Sequence, residues 1–224
     1  MSTKTDVAYL VKEEIDNIIS KLIEVGLCVN QNFTSDKMIG NNKVISWGQI
    51  KDLSIVMKNV DYEDIYKVLE EEGNYNIKLI DGSLIQMMYT FNSNDEIISH
   101  RLGFFPSINL SPFEKDPEVY YEFDIYADIL KKNVLPTIFR FDFDLDDSLF
   151  QELDHSKSHL TFGQVENCRI PVRGPISPNR FMDFILRNFY HKAMKQYNIC
   201  FDFMDYFSRT ITTNEENLIY IDFK

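Results

Sequence analysis

The stretch IKLIDGSLIQMMYTFNSNDEIISHRLGFF, residues 77–105, has the clearest strand pattern in the chain. Two arms, residues 77–91 and 97–105, are rich in Ile, Tyr and Phe, which favour strands. Between them lies NSND at residues 92–95, and Asn, Ser and Asp favour tight turns. We therefore predict an antiparallel β-hairpin over this stretch.

Helical patterns and further strands flank the hairpin. Apolar residues recur at three- and four-residue steps from residue 7 to residue 23, and the same spacing or a capping residue predicts three more helices. These later helices are expected over residues 61–73, 118–131 and 178–190. Additional strands are expected over residues 137–145, 159–162, 169–172 and 218–223. Because the order of helices and strands has no βαβ rhythm, we predict an α+β fold in a single domain, mainly an antiparallel sheet packed with several helices.

Length and charge set limits on the organisation. The chain has 224 residues, which fits one large domain. We expect an N-terminal helical and acidic part over about residues 1–75 and a β-rich part with a basic segment over about residues 76–224. The net charge is −12, and this acidity argues against non-specific binding to duplex DNA, which needs a broad basic face.

The cysteine content and the lack of long apolar runs indicate where in the cell the protein is located. Cys28, Cys168 and Cys200 are odd in number and far apart, which fits reduced thiols better than a disulfide framework. No apolar run approaches the roughly 20 residues that span a bilayer, and the first residues do not resemble a signal peptide. We therefore expect a cytoplasmic protein without membrane contact.

Basic residues are concentrated in residues 155–195, which hold seven Lys and Arg residues against two acidic residues, and three of the four histidines. Such a segment in an acidic chain is typical of a site that holds an anion, often a phosphate. Arg169 and Arg173 precede a helix that begins after Ser177, and Arg180 lies on it. The N-terminus of a helix also attracts anions, so these groups are candidates to converge on one ligand. Alternatively, the arginines pair with the surplus acidic side chains.

His155 and His159 are the candidate catalytic side chains of this segment. In a helix both imidazoles would share a face, as metal ligands often do. In a strand they would lie about 13 Å apart, and the following Leu-Thr-Phe favours the strand. His159 is then an acid, a base or a hydrogen-bond donor to a phosphate, with His155 as second candidate, and a structural role stays open for both. His159-Leu-Thr-Phe also matches the motif of two-histidine phosphoesterases, but no other histidine forms the required second copy.

The sequence RFDFDLDD at residues 140–147 alternates between charged and apolar side chains. In a strand, Asp142 and Asp144 share one face with Arg140. These two carboxylates are candidate ligands of a divalent metal beside a phosphate. They are equally consistent with the wet face of an edge strand, or with electrostatic pairing to the basic segment.

A resemblance to a known family rests on SHLTFG at residues 158–163, NCRIPV at 167–172 and ISP at 176–178. Together with HRL at residues 100–102, these segments resemble an uncharacterised bacterial family, domain of unknown function 2290. The resemblance spans most of the chain and implies a bacterial cytoplasmic protein with no established activity. By analogy, it suggests a part in a phage-defence or toxin-type system.

Two functional hypotheses follow. The first is binding of a phosphate-bearing ligand, nucleic acid or nucleotide, with nuclease-like phosphodiester chemistry if the chain is an enzyme. Its candidate residues are His159 and His155 as acid and base, Arg169, Arg173 and Arg180 as anion ligands, and Asp142 and Asp144 as metal ligands. The alternative is a non-catalytic accessory subunit whose acidic surface binds a basic protein partner encoded nearby, with the arginines held in salt bridges.

Overall fold

A computed structural model describes residues 6–48, 60–108, 118, 138–165 and 167–223. Within these residues, five helices and nine strands are present. The helices are α1 (Val7–Glu24), α2 (Tyr62–Glu71), α3 (Pro178–Phe189), α4 (His191–Gln196) and α5 (Thr213–Glu216). The strands are β1 (Cys28–Gln31), β2 (Thr34–Ile39), β3 (Asn42–Trp47), β4 (Ile77–Leu79), β5 (Leu84–Phe91), β6 (Ile97–Phe105), β7 (Phe139–Asp144), β8 (Ser158–Phe162) and β9 (Ile170–Pro171).

The described strands form one sheet in the order β1-β4-β5-β6-β7-β8-β9, and the β2–β3 hairpin joins it through β3, which pairs with β5. All of these strand pairs are antiparallel. The predicted α+β fold, an antiparallel sheet packed with helices, is therefore confirmed. The first three strands lie in the part expected to be helical and acidic, and the division near residue 75 stays a prediction.

The predicted hairpin forms β5 and β6 at the centre of the sheet. Its strands pair from Leu84 opposite Phe105 to Phe91 opposite Ile97. The turn also serves the first helix, because the Asp95 carboxylate accepts the N–H of Ala8 at 3.0 Å. This contact joins the hairpin to the N-terminus of α1, where unpaired N–H groups favour an anionic partner.

The first arm of that hairpin differs from the prediction. Residues 77–91 form two strands, β4 and β5, which are antiparallel to each other and are joined by a tight turn. Gly82 in this turn has φ +86°, and a Cβ at this position would lie 2.8 Å from Ser107 Oγ. The sequence signal was Asp-Gly at residues 81–82, a strong turn dipeptide within an apolar run.

One face of the sheet carries the main hydrophobic core. Alternate residues of the central strands, such as Met87, Leu102 and Phe141, pack with the apolar faces of α1 and α3. Phe184 of α3 meets Phe141 edge to face, with ring centroids 5.5 Å apart. This packing buries one side chain in two along each strand and leaves the other side chains on the opposite face.

The opposite face is only partly apolar. At one end, α2 packs Ile65 and Leu69 with Leu84, Phe105 and Ile138 in a second, smaller core. Further along the same face, the strands present polar and charged side chains. The helices on one face therefore stabilise the sheet while this region of the other face carries the candidate site.

The helix expected over residues 178–190 forms from Pro178 to Phe189, and a new helix starts at His191 after Tyr190, whose φ is −133°. Of the strand expected over residues 218–223, only Ile221 pairs, in an isolated parallel bridge with Val172. Apart from residue 118, the helix expected over residues 118–131 lies outside the described residues. Within the described residues, no helix has the length and apolar character needed to cross a membrane.

Candidate functional site, a polar cleft on the sheet

The candidate site is built on a row of cross-strand neighbours on the second face of the sheet. Met88 lies opposite Arg101, Arg101 opposite Asp142, and Asp142 opposite His159. Because directly opposed residues in neighbouring strands have Cβ atoms about 4.5–5.5 Å apart, the register alone brings these side chains into contact range. Three charged or titratable groups from β6, β7 and β8 therefore form the floor of the site.

A cavity of about 800 Å³ lies over this floor. The segments between β7 and β8 and between β8 and β9 form its walls, contributing Phe150, Lys157 and Val165 among others. We call this cavity the polar cleft, and its charged and titratable lining residues include Arg101, Arg140, Asp142, Asp144, Asp146, His155, Lys157, His159 and Arg169. Four cationic side chains thus face three carboxylates, in a chain whose net charge is −12.

Two arginines share one carboxylate in the floor. Arg101 Nε lies 3.4 Å from Asp142 Oδ1, and Arg140 Nε lies 3.4 Å from Asp142 Oδ2. The side chains are only 15–22% exposed. Burial lowers the pKa of Arg140, whereas the charge of Asp142 opposes that shift. Two guanidinium groups and one carboxylate therefore meet at the base of the cleft.

The two predicted catalytic histidines are neighbours in the cleft. The ring centroids of His155 and His159 lie 5.0 Å apart, in an edge-to-face arrangement. The expected strand spacing of about 13 Å is therefore wrong for this pair. The reason is that β8 begins at Ser158, and His155 instead closes a turn in which its N–H donates to the carbonyl of Gln151 at 2.6 Å.

The surroundings of His159 define its tautomer. Its Nδ1 lies 2.8 Å from the carbonyl oxygen of Ser156, which can only accept a hydrogen bond. The neutral ring therefore carries its proton on Nδ1 and has a lone pair on Nε2. Since the side chain lines the cleft and the residue is only 7% exposed, this lone pair belongs to a largely desolvated imidazole.

The pKa values of both histidines lie below the usual histidine value. Burial is the main cause for His159, and the charges of His155 and Arg169 add to it, whereas Asp142 raises the pKa. Burial also lowers the pKa of His155, followed by the charge of Arg169. Both imidazoles are consequently biased towards their neutral form when the cleft holds no ligand.

Arg169 reaches the cleft from the segment before β9. Its guanidinium donates a hydrogen bond to Asn167 Oδ1 at 3.2 Å. Its charge contributes, after burial, to the lowering of the pKa of both histidines. The structure thus brings together the predicted residues His155, His159, Arg169, Asp142 and Asp144 along one cleft.

Arg173 and Arg180 do not join them. Both line a separate cavity of about 410 Å³ between β9, the start of α3 and the C-terminal segment. Arg173 is 3.2 Å from Asp222, and Arg180 is 2.7 Å from Asp205. Their assignment as anion ligands stays a prediction, and it refers to a different cavity from that of Arg169.

The N-terminus of α3 is also occupied from within the chain. Ser177 caps the helix, accepting a hydrogen bond from the N–H of Arg180. The carboxylate of Glu14, from α1, accepts the N–H of Asn179 at 3.1 Å. The predicted convergence of Arg169, Arg173 and this helix N-terminus on one anion is therefore wrong, because an internal carboxylate takes the position expected for the ligand.

The predicted metal ligands have different surroundings. Asp142 is bound by two arginines, whereas Asp144 is exposed and accepts the N–H of Asp146 at 2.9 Å. In the part of the chain that the structure describes, no group of three or more His, Cys, Asp or Glu residues is arranged to hold a metal ion. A divalent metal on Asp142 and Asp144 stays a prediction.

Sequence reasoning missed Arg101 and Arg140 as site residues. Arg101 interrupts a strand that is otherwise largely apolar, and strand alternation already placed Arg140 on the same face as Asp142. A charged side chain in the middle of a central strand is a signal for a polar cavity or a buried ion pair. Their meeting at Asp142 required the register between β6 and β7, which the sequence pattern leaves undefined.

A family model matches residues 27–223, and the family is described as uncharacterized conserved protein (DUF2290). Because the match covers most of the chain, the chain belongs to this family, and the predicted membership is confirmed. No curated protein matches the chain, and neither does any solved structure. The family description names no activity.

Proposed function

We propose that the polar cleft binds a phosphate-bearing ligand, either a nucleotide or a nucleic acid. The observation that carries this proposal is the convergence of Arg101, Arg140 and Arg169 on one cavity of an acidic protein. Guanidinium groups match phosphate oxygens in geometry and charge. Partial burial strengthens the attraction, since exposed charges are screened by water and salt while buried ones are screened much less.

The walls of the cleft support a ligand with an apolar part. Leu149 and Val165 line the cavity, and they are 47% and 64% exposed. Phe150 lies beside them, with the Lys157 ammonium 5.8 Å from its ring centroid. A nucleobase is a flat apolar surface with polar edges, and aromatic side chains contribute to its binding by stacking. Charge on the floor and apolar surface on the walls thus fit the two ends of a nucleotide.

Binding is tested by fluorescence anisotropy with a fluorescein-labelled single-stranded oligonucleotide. We expect Arg169→Ala to weaken binding by about 10- to 100-fold, since a hydrogen bond to a charged group contributes ~1.5–3 kcal/mol. The slope of log affinity against log salt should also fall by about 0.7, the value for one lost phosphate contact on a single strand.

The matched control is Arg187→Ala. Arg187 is an exposed arginine on α3, where it pairs with Asp183, outside the cleft lining. The variant removes the same charge from the same chain, so its affinity and salt slope should stay at wild-type values. Equal losses in the two variants would mean that general charge, not the cleft, binds the oligonucleotide. Wild-type binding that is undetectable at low salt would refute the proposal.

A second candidate is the accessory subunit that binds a basic partner. Two observations favour it: Arg173 and Arg180 lie in ion pairs, and α2 presents Glu63, Asp64 and Glu71 to solvent. Reversing these three α2 charges to Lys distinguishes the candidates. If the chain is an accessory subunit, the α2 variant should lose its biological function and Arg169→Ala should keep it. If the polar cleft is the site, Arg169→Ala should lose the function and the α2 variant should keep it.

We include in the proposal a role in a phage-defence or toxin-type system. Its support is the family analogy together with a cleft suited to nucleic acid. Expression of the chain in bacteria, followed by growth curves and phage plaque counts, tests this role. Wild type should slow growth or reduce plaque number, and Arg169→Ala should do neither while accumulating to the same level. No difference between the wild type and Arg169→Ala in either assay would refute this role.

A further inference from the structure

We infer that the polar cleft cleaves RNA, with His159 as the base that activates the ribose 2′-hydroxyl and His155 as the acid that protonates the leaving 5′-oxygen. This inference rests on the proposed function, because the RNA must first bind in the cleft. It goes beyond binding by naming the reaction, the substrate class and the role of each imidazole.

His159 is placed to act as the base. Its Nδ1–H is held by the Ser156 carbonyl, so Nε2 is the nitrogen that accepts a proton. Among the described residues, no hydrogen bond to this Nε2 competes with a ligand. A general base needs this combination of a defined tautomer and an available lone pair, and such a base accelerates a reaction about 10²- to 10⁴-fold.

His155 is placed to act as the acid. Its ring centroid lies 5.0 Å from that of His159 and both side chains line the polar cleft, so one phosphate bound there would be within reach of both rings. It is more exposed than His159 and lies closer to solvent protons. A phosphate bound to Arg169 would reduce the repulsion that this guanidinium exerts on the imidazole, and would thereby favour the protonated form of His155 when substrate is present.

The arginines complete the requirements of the reaction. Attack on phosphorus adds negative charge to the non-bridging oxygens, and positive groups held in a partly desolvated cleft stabilise that charge. Arg101 and Arg140 are positioned for this by Asp142. RNA carries its own nucleophile, the 2′-hydroxyl, beside the phosphorus. A well-oriented internal nucleophile reacts as fast as an external one at an effective concentration of about 10⁵–10⁸ M. The cleft therefore needs to provide only a base, an acid and positive charge, which are the groups present.

The atoms balance without a further reactant. The 2′-hydroxyl proton moves to Nε2 of His159 as the bond between the 2′-oxygen and phosphorus forms. The bond between phosphorus and the 5′-oxygen then breaks, and the 5′-oxygen takes a proton from His155. The products are a 2′,3′-cyclic phosphate and a 5′-hydroxyl. Solvent then takes up the proton from His159 and supplies a proton to His155.

The test compares an RNA oligonucleotide with the same sequence in which every ribose lacks the 2′-hydroxyl, both in the presence of EDTA. We expect both strands to bind, only RNA to be cut, and mass spectrometry to find cyclic phosphate ends. RNA that binds without being cut, cleavage of the deoxy strand, inhibition by EDTA, or products with 3′-hydroxyl ends would each overturn the inference. Failure of both strands to bind would instead show that the proposed function itself is wrong.

Histidine variants assign the two roles. We expect His159→Ala to reduce cleavage by about 10²- to 10⁴-fold with binding unchanged, and His191→Ala, an exposed histidine outside the cleft, to cleave normally. A uridine 3′-(p-nitrophenyl phosphate) substrate has a leaving group that needs no proton. His155→Ala should cleave it at close to the wild-type rate and His159→Ala should not. Equal loss in both variants would overturn the assignment of His155 as acid.

The pH profile is an independent readout. The expected profile of kcat/KM is a bell, because one imidazole must be neutral to act as the base and the other must be protonated to act as the acid. The charged groups that act on the two histidines are Asp142 on β7, Asp144 at its end, Asp154 in the segment before β8, and Arg169 before β9. A profile that rises continuously to pH 9 would contradict histidine as the acid.

Discussion

Replacing Asp142 with asparagine should lower the stability of the protein and strengthen its affinity for phosphate. Asp142 is the carboxylate between Arg101 and Arg140, with both Nε–Oδ distances at 3.4 Å. The substitution keeps the shape of the side chain and removes its charge. Arg101 and Arg140 would then lose the carboxylate that lies between them, and an incoming anion would meet a more positive cleft.

The size of the stability change follows from the burial of this cluster. Removing one partner of a fully buried ion pair costs about 3–5 kcal/mol. The side chains here are 15–22% exposed, and water relieves part of the penalty, so we expect ~2 kcal/mol. In a chain of this length that corresponds to a melting temperature lower by about 4–8 °C.

The affinity for phosphate should change in the opposite direction. A unit charge about 6 Å from an anion contributes ~1.4 kcal/mol at an effective dielectric constant of about 40, equivalent to a tenfold change in affinity. The carboxylate opposes the anion, so its removal should tighten binding by about this factor at low salt. Because Asp142 raises the pKa of both His155 and His159, the variant should also lower both pKa values further.

Urea unfolding and calorimetric titration with inorganic phosphate, each with and without Mg²⁺, measure these effects. The control is Asp144→Asn, which removes an exposed carboxylate from the same strand, and we expect its stability to change by less than about 0.5 kcal/mol. Unchanged stability in Asp142→Asn would refute the structural role of this carboxylate. If the wild type needs Mg²⁺ to bind phosphate and Asp142→Asn binds phosphate more weakly, the electrostatic argument is refuted and Asp142 is supported as a metal ligand.

Two further predictions concern carboxylates outside the cleft. Burial raises the pKa of Glu14 to about 7, although its carboxylate accepts the N–H of Asn179. The folded state therefore retains a proton that the unfolded state loses between about pH 4.5 and 7. Over this range the free energy of unfolding of the wild type should fall by ~1.4 kcal/mol for each unit rise in pH. Glu14→Gln should not show this fall in urea unfolding at pH 5 and pH 8, and parallel curves for the two proteins would contradict the shifted pKa. Asp95→Ala should lower the free energy of unfolding by about 1–2 kcal/mol, because it removes the anion that accepts N–H groups at the start of α1. The control is Asp36→Ala, which removes an exposed carboxylate. Equal stability of these two variants would exclude a capping role for Asp95.

Much of the fold was predictable because strands and helices follow local periodicity. The hairpin of β5 and β6, the helix after Ser177 and the strand around Phe141 were all expected from spacing within short windows. The split of the first hairpin arm was missed, because an apolar run masked the Asp-Gly turn at Gly82. The strand expected at residues 218–223 was wrong for a related reason: alternation shows that a segment suits a strand but does not supply a partner strand.

The structure brings some of the predicted site residues together and separates others. His155, His159 and Arg169 do share one cleft. Their spacing was wrong, because a turn before β8 brings the two imidazoles to 5.0 Å. Arg173 was placed with them by proximity in sequence, but the chain carries it past β9 to pair with Asp222 in another cavity.

Composition and periodicity were sufficient for the fold class and the faces of single strands, since each depends on residues close together in the chain. The site depends on contacts between distant residues. Arg101 meets Asp142 through the register of β6 against β7, and Glu14 occupies the start of α3 across a separation of 165 residues. Local preferences leave such pairings undefined, because register and helix docking are selected by burial of the whole apolar surface. The concentration of basic residues therefore predicted an anion site, and folding selected which of those residues line the polar cleft.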